Sequence, residues 1–256
     1  MSKPSGGGML CTFVESPLWD ASDADDWFRV LVEMGQAHNF EYTTFVLSAN
    51  GGLSISDAFY KSNQPIVWRK IYEQKRHGQI DPIVRHCRSK LSPFVWGEED
   101  FSSRDDERAL YEQGRAFGSH WGVALPIYGP NGDVGMLSFA SSKRFDEEKS
   151  NVARRLPELA LIRDIAYETG LRYARQKANA AIPRLTPCEK EILRWMILGK
   201  TNLEISMIIC KKKTTINFHA ANILNKLDAN SRTVAVVKAL KMRLVDDWRA
   251  DVGSRQ

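Results

Sequence analysis

Residues Leu185–Leu227 read LTPCEKEILRWMILGKTNLEISMIICKKKTTINFHAANILNKL, and they show the organisation of the chain most clearly. Thr186 followed by Glu189 is the capping-box pattern of a helix N-terminus, and Gly199 marks the end of that helix. The apolar residues form three sets at helical spacing. These are Ile192, Leu193, Trp195 and Met196; Leu203, Ile205, Ile208 and Ile209; and Ile216, Ile223, Leu224 and Leu227. The pattern predicts three short helices joined by tight turns.

Three consecutive lysines, Lys211, Lys212 and Lys213, begin the third helix. The N-terminal end of a helix dipole is positive, so cations there are unfavourable unless a polyanion is bound nearby. Short polar residues that suit phosphates and base edges follow the lysines. They are Thr214, Thr215, Asn217, His219 and Asn222. The pattern favours a helix that binds nucleic acid, and a solvated charge run is the alternative.

The formal net charge of +5 is distributed unevenly. Residues 183–256 hold 14 Lys and Arg against 7 Asp and Glu, whereas residues 1–182 hold 22 against 24, so the two parts carry +7 and −2. The basic part contains the three predicted helices, as phosphate binding requires.

The composition, 43% hydrophobic and 26% charged, is ordinary for a soluble globular protein, and 256 residues suffice for two domains. No apolar run approaches the roughly 20 residues that cross a membrane, and the N-terminus lacks the apolar segment of a signal peptide. The four cysteines form no CxxC pair and have no histidine at metal-ligand spacing. We therefore expect a cytoplasmic protein with no membrane insertion, no metal and no cofactor.

The first part of the chain alternates helical and strand patterns. An amphipathic helix is predicted over Asp23–Asn39, capped by Ser22, and a long helical pattern interrupted by Pro157 runs from Phe145 to about Lys177. Two hairpins are predicted: Tyr42–Ser48 with Leu53–Tyr60 about the turn Asn50–Gly52, and Val123–Tyr128 with Val134–Ala140. This is an α+β chain: an N-terminal α/β/α sandwich with an antiparallel sheet, then an all-α helix-turn-helix domain.

The expected domain boundaries follow from these patterns. Residues 1–20 are expected to be a flexible N-terminus, and residues 21–177 the sandwich domain, whose long last helix is of a type that often makes dimer contacts. The small-residue segment 178–184 is the expected linker, and residues 185–250 the DNA-binding domain.

Four residues of the first domain combine polar groups with flat apolar surfaces. Trp68 and Tyr72 are four residues apart, on one face of a predicted helix, and Asp81 and Trp96 follow. Together they offer an indole donor, a phenol, a carboxylate acceptor and an apolar wall for a small ligand. Aromatic residues at helical spacing also form plain cores, and an Asp before a Pro also caps helices, so both interpretations remain open.

Both domains resemble the LuxR-type quorum-sensing transcriptional regulators. The helix-turn-helix motif of that family is matched by Leu185-Thr186, Glu189, Leu193, Gly199-Lys200-Thr201, Glu204-Ile205, Thr215-Ile216, His219 and Lys226-Leu227. Its autoinducer-binding motif is matched by Trp68, Tyr72, Asp81-Pro82, Trp96, Gly122 and Ser138. The resemblance covers most of residues 23–245.

The resemblance implies that the N-terminal domain binds an N-acyl-homoserine lactone. Trp68 would donate to the lactone carbonyl, and Asp81 would accept from the amide N–H. Tyr72 and Trp96 would wall the ring, and Ser138 would bond near the amide carbonyl. Gln64 replaces the family's tyrosine, and Ile83 is apolar where some relatives have a hydroxyl, so these two residues suggest an altered ligand preference or a solo regulator.

The resemblance also implies a homodimer that binds a two-fold symmetric promoter site on double-stranded DNA, with RNA polymerase as a further partner. Lys200, Lys211, Lys212, Lys213 and Lys226 would contact phosphates, while Thr215, Asn217 and His219 would lie near the bases, with Asn217 as a reader of adenine. Thr201, Thr214 and Asn222 complete the predicted DNA-binding set. A regulator that titrates relatives as heterodimers is the alternative. An enzyme acting on the lactone is disfavoured, since the chain has no Gly-x-Ser-x-Gly motif and its five histidines are dispersed.

Overall fold

The computed structural model describes residues 16–49, 58–143, 145–181, 183–242 and 244–245. Within these ranges the chain divides into two compact units, one ending at Lys177 and one beginning at Ala178. Leu18, in the described part of the expected flexible N-terminus, is fully buried. The two units are described separately.

The first unit is built on a five-stranded antiparallel sheet. Its strands are β1 (Tyr42–Ser48), β2 (Phe59–Ser62), β3 (Phe94–Trp96), β4 (Trp121–Tyr128) and β5 (Val134–Ser141), in the order β2-β1-β5-β4-β3. Its helices are α1 (Ala24–Ala37), α2 (Ile66–Gln74), α3 (Pro82–Ser89), α4 (Asp105–Ala116) and α5 (Phe145–Ala181), with short 3-10 turns at His77–Gln79 and Glu98–Phe101.

One face of this sheet packs against α1 and α5. The rings of Trp27 from α1 and Phe45 from β1 lie 4.9 Å apart, and the Trp27 indole donates to the Thr169 hydroxyl of α5 at 2.8 Å. The opposite face packs against α2, α3 and α4 around a second cluster. The buried members of that cluster are Trp68, Cys87, Trp96, Phe101, Leu110, Tyr111, Ala124 and Ala140. Helices on both faces of an antiparallel sheet confirm the predicted sandwich.

Three local predictions differ from the structure. Asp23, not Ser22, caps α1, because its carboxylate accepts from the backbone N–H groups of Asp25 and Asp26 at 2.8 and 2.9 Å. Pro157 does not interrupt α5, which continues to Ala181, since buried residues on both sides of the proline hold the helix against the sheet. The strand predicted over Leu53–Tyr60 is β2, Phe59–Ser62; the predicted turn and the first part of that strand lie outside the described residues.

The second unit consists of α6 (Pro187–Ile197), α7 (Asn202–Ile208), α8 (Lys213–Lys226) and α9 (Arg232–Lys241). The three helices predicted from the sequence are confirmed, and a fourth follows them. The core contains Ile192, Leu193, Met196, Ile205, Ile216, Ile223, Leu227, Ala235, Ala239 and Val245. Leu203 and Ile208, which were placed in the apolar set of α7, are exposed because that short helix turns only one narrow face inward.

Throughout the described part of the chain, no helix has the length and apolar character needed to span a membrane. The same residues contain no group of three or more His, Cys, Asp or Glu that could hold a metal ion.

Candidate functional sites

The first candidate site lies where α2 meets α3. Trp68 and Tyr72 share a face of α2 as the spacing predicted, with ring centroids 5.8 Å apart. Trp68 is only 5% exposed and also stacks on Phe117, at the end of α4, at 5.7 Å. This aromatic group makes the wall of the site.

Asp81 joins α2 to α3 and supplies the carboxylate of the site. One carboxylate oxygen accepts from the backbone N–H of Ile83 at 2.8 Å, which caps α3, and the other accepts from the Tyr72 hydroxyl at 2.6 Å. Burial raises the pKa of Asp81, although the bonds from Tyr72 and Ile83 oppose the rise. Burial, and then the neighbouring Asp81, raise the pKa of Tyr72 well above its ordinary value. Asp81 thus has both a capping role and free lone pairs for a ligand donor.

Trp96, at the end of β3, presents an unsatisfied donor. Its side chain is 4% exposed, and its indole N–H is buried without a hydrogen-bond partner. The ring lies against Gly122, where an added Cβ would stand 2.7 Å from a ring atom and 2.1 Å from the Phe139 carbonyl oxygen, so only glycine fits. A buried donor without a partner costs about 1–3 kcal/mol, and an acceptor on a bound ligand would remove that cost.

The sheet face beside these residues is incompletely covered. Phe45, Leu47 and Leu137 on the opposite face are fully buried. The partly exposed residues of β1, β2 and β5 on the face toward α2 include Thr44, Val46, Tyr60, Ser62, Met136 and Ser138. From this difference in coverage we infer a cleft between the sheet and α2.

Hydroxyl groups line the floor of this cleft. The register pairs Thr44 of β1 with both Ser62 of β2 and Ser138 of β5, and the Thr44 and Ser62 hydroxyls are 2.8 Å apart. Ser138, predicted from the sequence, is therefore one of a row of three. Thr44 and Ser62 were missed, because strand alternation alone does not reveal which residues of other strands lie beside them.

Gln64 and Ile83 lie at two edges of the cleft. The Gln64 side-chain amide donates to the Ser119 hydroxyl at 3.0 Å, and its backbone N–H donates to the Ser62 hydroxyl at 3.2 Å. The Ile83 side chain is half-buried and packs against the aromatic cluster. The seven residues predicted for the ligand site lie in or directly beside β2, β3, β5, α2 and α3.

The second candidate site is the outer surface of α8. The three lysines, Thr214 and Asn217 are exposed, whereas Thr215 and Asn222 are half-buried. His219 is also half-buried, and one of its ring nitrogens is buried without a partner. Phe218 is 63% exposed and was missed by the sequence analysis. Phe218 lies outside the buried stripe of Ile216, Ala220 and Ile223, and this spacing could have predicted its exposure.

Three residues of the predicted DNA-binding set, Lys226, Thr201 and Lys200, have side-chain partners within the unit. The Lys226 ammonium donates to the buried Glu189 carboxylate at 2.7 Å, so we assign Lys226 to the stability of the unit. Thr201 caps α7: its hydroxyl donates to the Glu204 carboxylate at 2.8 Å and accepts from the Glu204 N–H. The Lys200 ammonium lies 3.7 Å from the same carboxylate and remains partly exposed.

A concave groove separates α8 from the beginning of α7 and α9. It has a volume of about 550 Å³ and is lined by Gly199, Lys200, Thr201, Asn202, Leu203, Lys213, Asn217 and Arg232. Three of these residues are cationic and none is acidic, so the groove suits an anionic partner.

Two family models match this chain. The model described as "Autoinducer binding domain" matches residues 23–169, and the model described as "Bacterial regulatory proteins, luxR family" matches residues 183–239.

Sequence relatives agree with these matches. The transcriptional activator protein VanR of Vibrio anguillarum is 32% identical over 220 residues, which cover 84% of this chain and 89% of VanR. The regulatory protein SdiA of Escherichia coli strain K12 is 30% identical over 223 residues, or 82% of this chain and 87% of SdiA.

A solved structure has the same fold. The structure of SdiA in complex with octanoyl-rac-glycerol superposes with a TM-score of 0.71 at 21% identity, over 94% of this chain and 97% of that one. The cleft of the first unit, the basic surface of the second and the two family matches agree: the chain belongs to the luxR family of bacterial regulatory proteins and is a quorum-sensing transcriptional regulator with an autoinducer-binding domain and a DNA-binding helix-turn-helix.

Proposed function

We propose that the cleft of the first unit binds an N-acyl-homoserine lactone and that the liganded protein binds a two-fold symmetric promoter site as a homodimer. The first part rests on two polar groups beside the cleft whose hydrogen-bonding capacity is not fully used. Trp96 has a buried N–H without an acceptor, and Asp81 is a buried carboxylate with acceptor capacity remaining. An amide-linked lactone offers both complements, a carbonyl and an N–H.

Each residue then has a specific part in binding. The Trp68 indole donates to the lactone carbonyl, Asp81 accepts from the amide N–H, and Tyr72 holds Asp81 in place. Trp96 walls the ring and donates to a ligand oxygen. Gln64, Ile83 and Ser138 contact the amide and the start of the acyl chain. SdiA, which shares the fold, has been solved with octanoyl-rac-glycerol, an acyl compound, and this supports an acyl ligand here.

The hydroxyl row refines the ligand class. Ser62, Thr44 and Ser138 form a polar floor under the region assigned to the start of the acyl chain. Covering these hydroxyls with plain methylenes would leave some of their hydrogen-bonding capacity unused, which is unfavourable when they become buried. We therefore assign to this site a lactone whose acyl chain carries an oxygen substituent close to the amide.

A panel of lactones tests this assignment. Lactones of differing chain length, each unsubstituted, 3-hydroxy or 3-oxo, are added to the purified protein, and the thermal unfolding midpoint is measured. A ligand that binds only the folded state at 100 times its Kd stabilises it by about 2.7 kcal/mol. We expect an oxygen-substituted lactone to raise the midpoint by several degrees. The corresponding ring-opened acyl-homoserine, which lacks the lactone, is the matched control and should not raise it.

Absence of any rise across the panel, in a protein that is soluble and folded, would refute the lactone assignment. A larger rise of the midpoint with unsubstituted lactones would refute only the preference for an oxygen substituent on the acyl chain.

The DNA-binding part of the proposal rests on α8. Its exposed lysines and the cationic groove beside it suit phosphates, and its exposed Asn217 and Phe218 suit base edges. In helix-turn-helix dimers the second helix of the motif lies in the major groove, and half-sites are one helical turn apart. Ligand binding stabilises the folded first unit, to which the sequence analysis assigned dimerisation.

The stripe on α9 supports pairing of two copies. Val234, Val237 and Leu240 are 36%, 45% and 42% exposed and are three residues apart, so they form one apolar ridge. A two-fold axis through such a ridge makes it self-complementary.

Val237→Lys tests the pairing surface. We expect the substitution to shift the protein from dimer to monomer in sedimentation analysis and to weaken binding to a two-half-site promoter by at least about tenfold, since a charge would be buried in the interface. Glu191→Gln, at an exposed position of α6, changes the net charge equally and serves as the control. A dimer that survives Val237→Lys would contradict this surface. A chain that stays monomeric alone and pairs only with a related regulator would favour heterodimer titration.

A further inference from the structure

Three side chains connect α9 to α8 through the start of α7. The Arg232 guanidinium donates to the Asn202 side-chain oxygen at 2.9 Å, and its second arm donates to the Lys200 carbonyl. The Asn202 amide in turn donates to the Asn217 side-chain oxygen at 2.9 Å. We call this chain of hydrogen bonds, Arg232–Asn202–Asn217, the relay. It ends on the exposed surface of α8.

Arginine fixes the direction of every bond in this relay. A guanidinium has donors only, so the oxygen of the Asn202 amide must face it. The NH2 group of Asn202 then faces Asn217, and because an amide NH2 can only donate, Asn217 must turn its oxygen inward. Amide orientations are often ambiguous in isolation, but here the donor-only Arg232 removes the ambiguity.

The position of Arg232 is unfavourable for α9 itself. It is the first residue of that helix, where the positive end of the helix dipole repels a cation, and it is half-buried. Ser231 already caps the helix by accepting from the Val234 N–H at 3.2 Å. The local helix gains nothing from an arginine there, so its contribution lies in the contacts to Lys200 and Asn202.

Asn217 therefore has its NH2 group free at the protein surface. Adenine is read by an Asn whose oxygen accepts from N6 while its NH2 donates to N7, but the Asn217 oxygen is turned toward Asn202 and away from the outer surface of α8. Guanine presents two acceptors, O6 and N7, and no donor in the major groove. An Asn217 that presents its NH2 group outward therefore matches guanine.

We propose that Asn217 reads guanine in the promoter half-site and that Arg232, acting through Asn202, is the positioning residue that sets this choice. The inference rests on the proposed DNA-binding function and replaces the adenine preference expected from the sequence. The relay makes the base preference of α8 depend on two residues that lie outside that helix.

Selection from a random double-stranded DNA library tests the proposal. The full-length protein is used in the presence of the lactone that stabilises it most. We expect a two-fold symmetric site, and Asn217→Ala should relax discrimination at one base pair of each half-site, which identifies the base under Asn217. In the unsubstituted protein that base should be guanine, preferred about tenfold or more.

Asn202→Asp reverses the relay. A carboxylate accepts from Arg232 and can only accept from Asn217, so Asn217 must rotate and present its oxygen to the DNA. At the position identified above, preference should change from guanine to a base that offers an amino group, adenine or cytosine. Arg232→Gln, whose amide can donate or accept, should lower the preference there without reversing it. Asn225→Asp, at an exposed position of α8 outside the relay, makes the same charge change and should leave the preference unaltered.

The outcomes are separable. If no symmetric site is selected, the proposed DNA-binding function fails. If a site is selected but adenine lies under Asn217, or if Asn202→Asp and Asn225→Asp leave the same base preferred, the relay proposal fails while the function stands. Circular dichroism and the thermal midpoint show whether each variant is folded, and Arg232→Gln provides a second test if Asn202→Asp is not.

Discussion

Asp81→Asn is expected to abolish the stabilisation by lactone while the unliganded protein stays folded. The Asn oxygen can still accept from the Ile83 N–H and cap α3, and its NH2 group can donate to the Tyr72 hydroxyl oxygen, so both structural contacts have replacements. The charge and the second acceptor are lost. A hydrogen bond to a charged group contributes about 1.5–3 kcal/mol, and an unpaired ligand N–H costs about 1–3 kcal/mol more.

The combined loss is about 2.5–6 kcal/mol, or roughly 70-fold to more than 10,000-fold in Kd. Isothermal calorimetry and the thermal midpoint with and without lactone measure it. Asp133→Asn is the matched control, because Asp133 is also buried and accepts from a tyrosine hydroxyl, that of Tyr167, at 2.8 Å. It should lower the midpoint of the unliganded protein and leave the lactone-induced rise intact. Retention of the full rise in Asp81→Asn would remove Asp81 from the site.

The ionisation of Asp81 should also make lactone binding depend on pH. Burial raises the pKa of Asp81, so in the unliganded protein its contribution to stability is present below the unfolded-state pKa and is lost as pH rises through the raised pKa. The ligand N–H favours the ionised carboxylate. Lactone affinity should therefore increase as pH rises through that raised pKa, and Asp81→Asn should remove the increase.

Glu189→Ala is expected to destabilise the helix-turn-helix unit by about 2–4 kcal/mol. The carboxylate is almost fully buried, and one of its oxygens accepts from both the Lys226 ammonium and the Thr186 N–H, each at 2.7 Å. The substitution removes half of the capping box of α6 and the tie between α6 and the end of α8. The Lys226 side chain is 36% exposed, so water can solvate its ammonium group after the substitution. The loss of stability is therefore smaller than for a fully buried ion pair.

Amide hydrogen exchange of α6–α9 in the purified protein, followed as denaturant is added, measures the loss in this unit. Glu204→Ala is the matched control, since Thr201 and Glu204 form the same capping box at the start of α7. That box is exposed, and its lysine neighbour, Lys200 at 3.7 Å, links it to no second helix. Glu204→Ala should lower the free energy of unfolding by clearly less than Glu189→Ala. Equal losses in the two variants would show that the cap alone, and not the tie to α8, stabilises the unit.

The sign of the pH effect follows from the Glu189 pKa. Burial raises this pKa, but the hydrogen bonds from Lys226 and Thr186 outweigh burial and place it below its usual value. A carboxyl group of this kind stabilises the fold above its unfolded-state pKa, and the contribution is lost as pH falls through the lower folded-state value. The difference between the original protein and Glu189→Ala should therefore shrink as the solution is acidified through that range.

Local sequence signals predicted the helices of the second unit well. The Thr186–Glu189 pair, the glycine at 199 and the apolar spacing of α6 and α8 act within a few residues, so they fix helix ends before any distant contact forms. The strands β4 and β5 were predicted for the same reason, because a short polar turn connects them. The family resemblance then identified Trp68, Tyr72, Asp81 and Trp96 as one site.

Contacts between residues far apart in sequence could not be predicted from these signals. The Glu189–Lys226 pair spans 37 residues, and only the packing of α6 against α8 turned a predicted phosphate contact into an internal tie. The register of β2, β1 and β5 brought Ser62 and Thr44 beside Ser138. The buried Trp96 N–H without a partner and the direction of the Arg232–Asn202–Asn217 relay also depend on packing. Spacing along the chain reports which face of an element a residue occupies, but side-chain partners depend on how those faces meet, and this requires the folded structure.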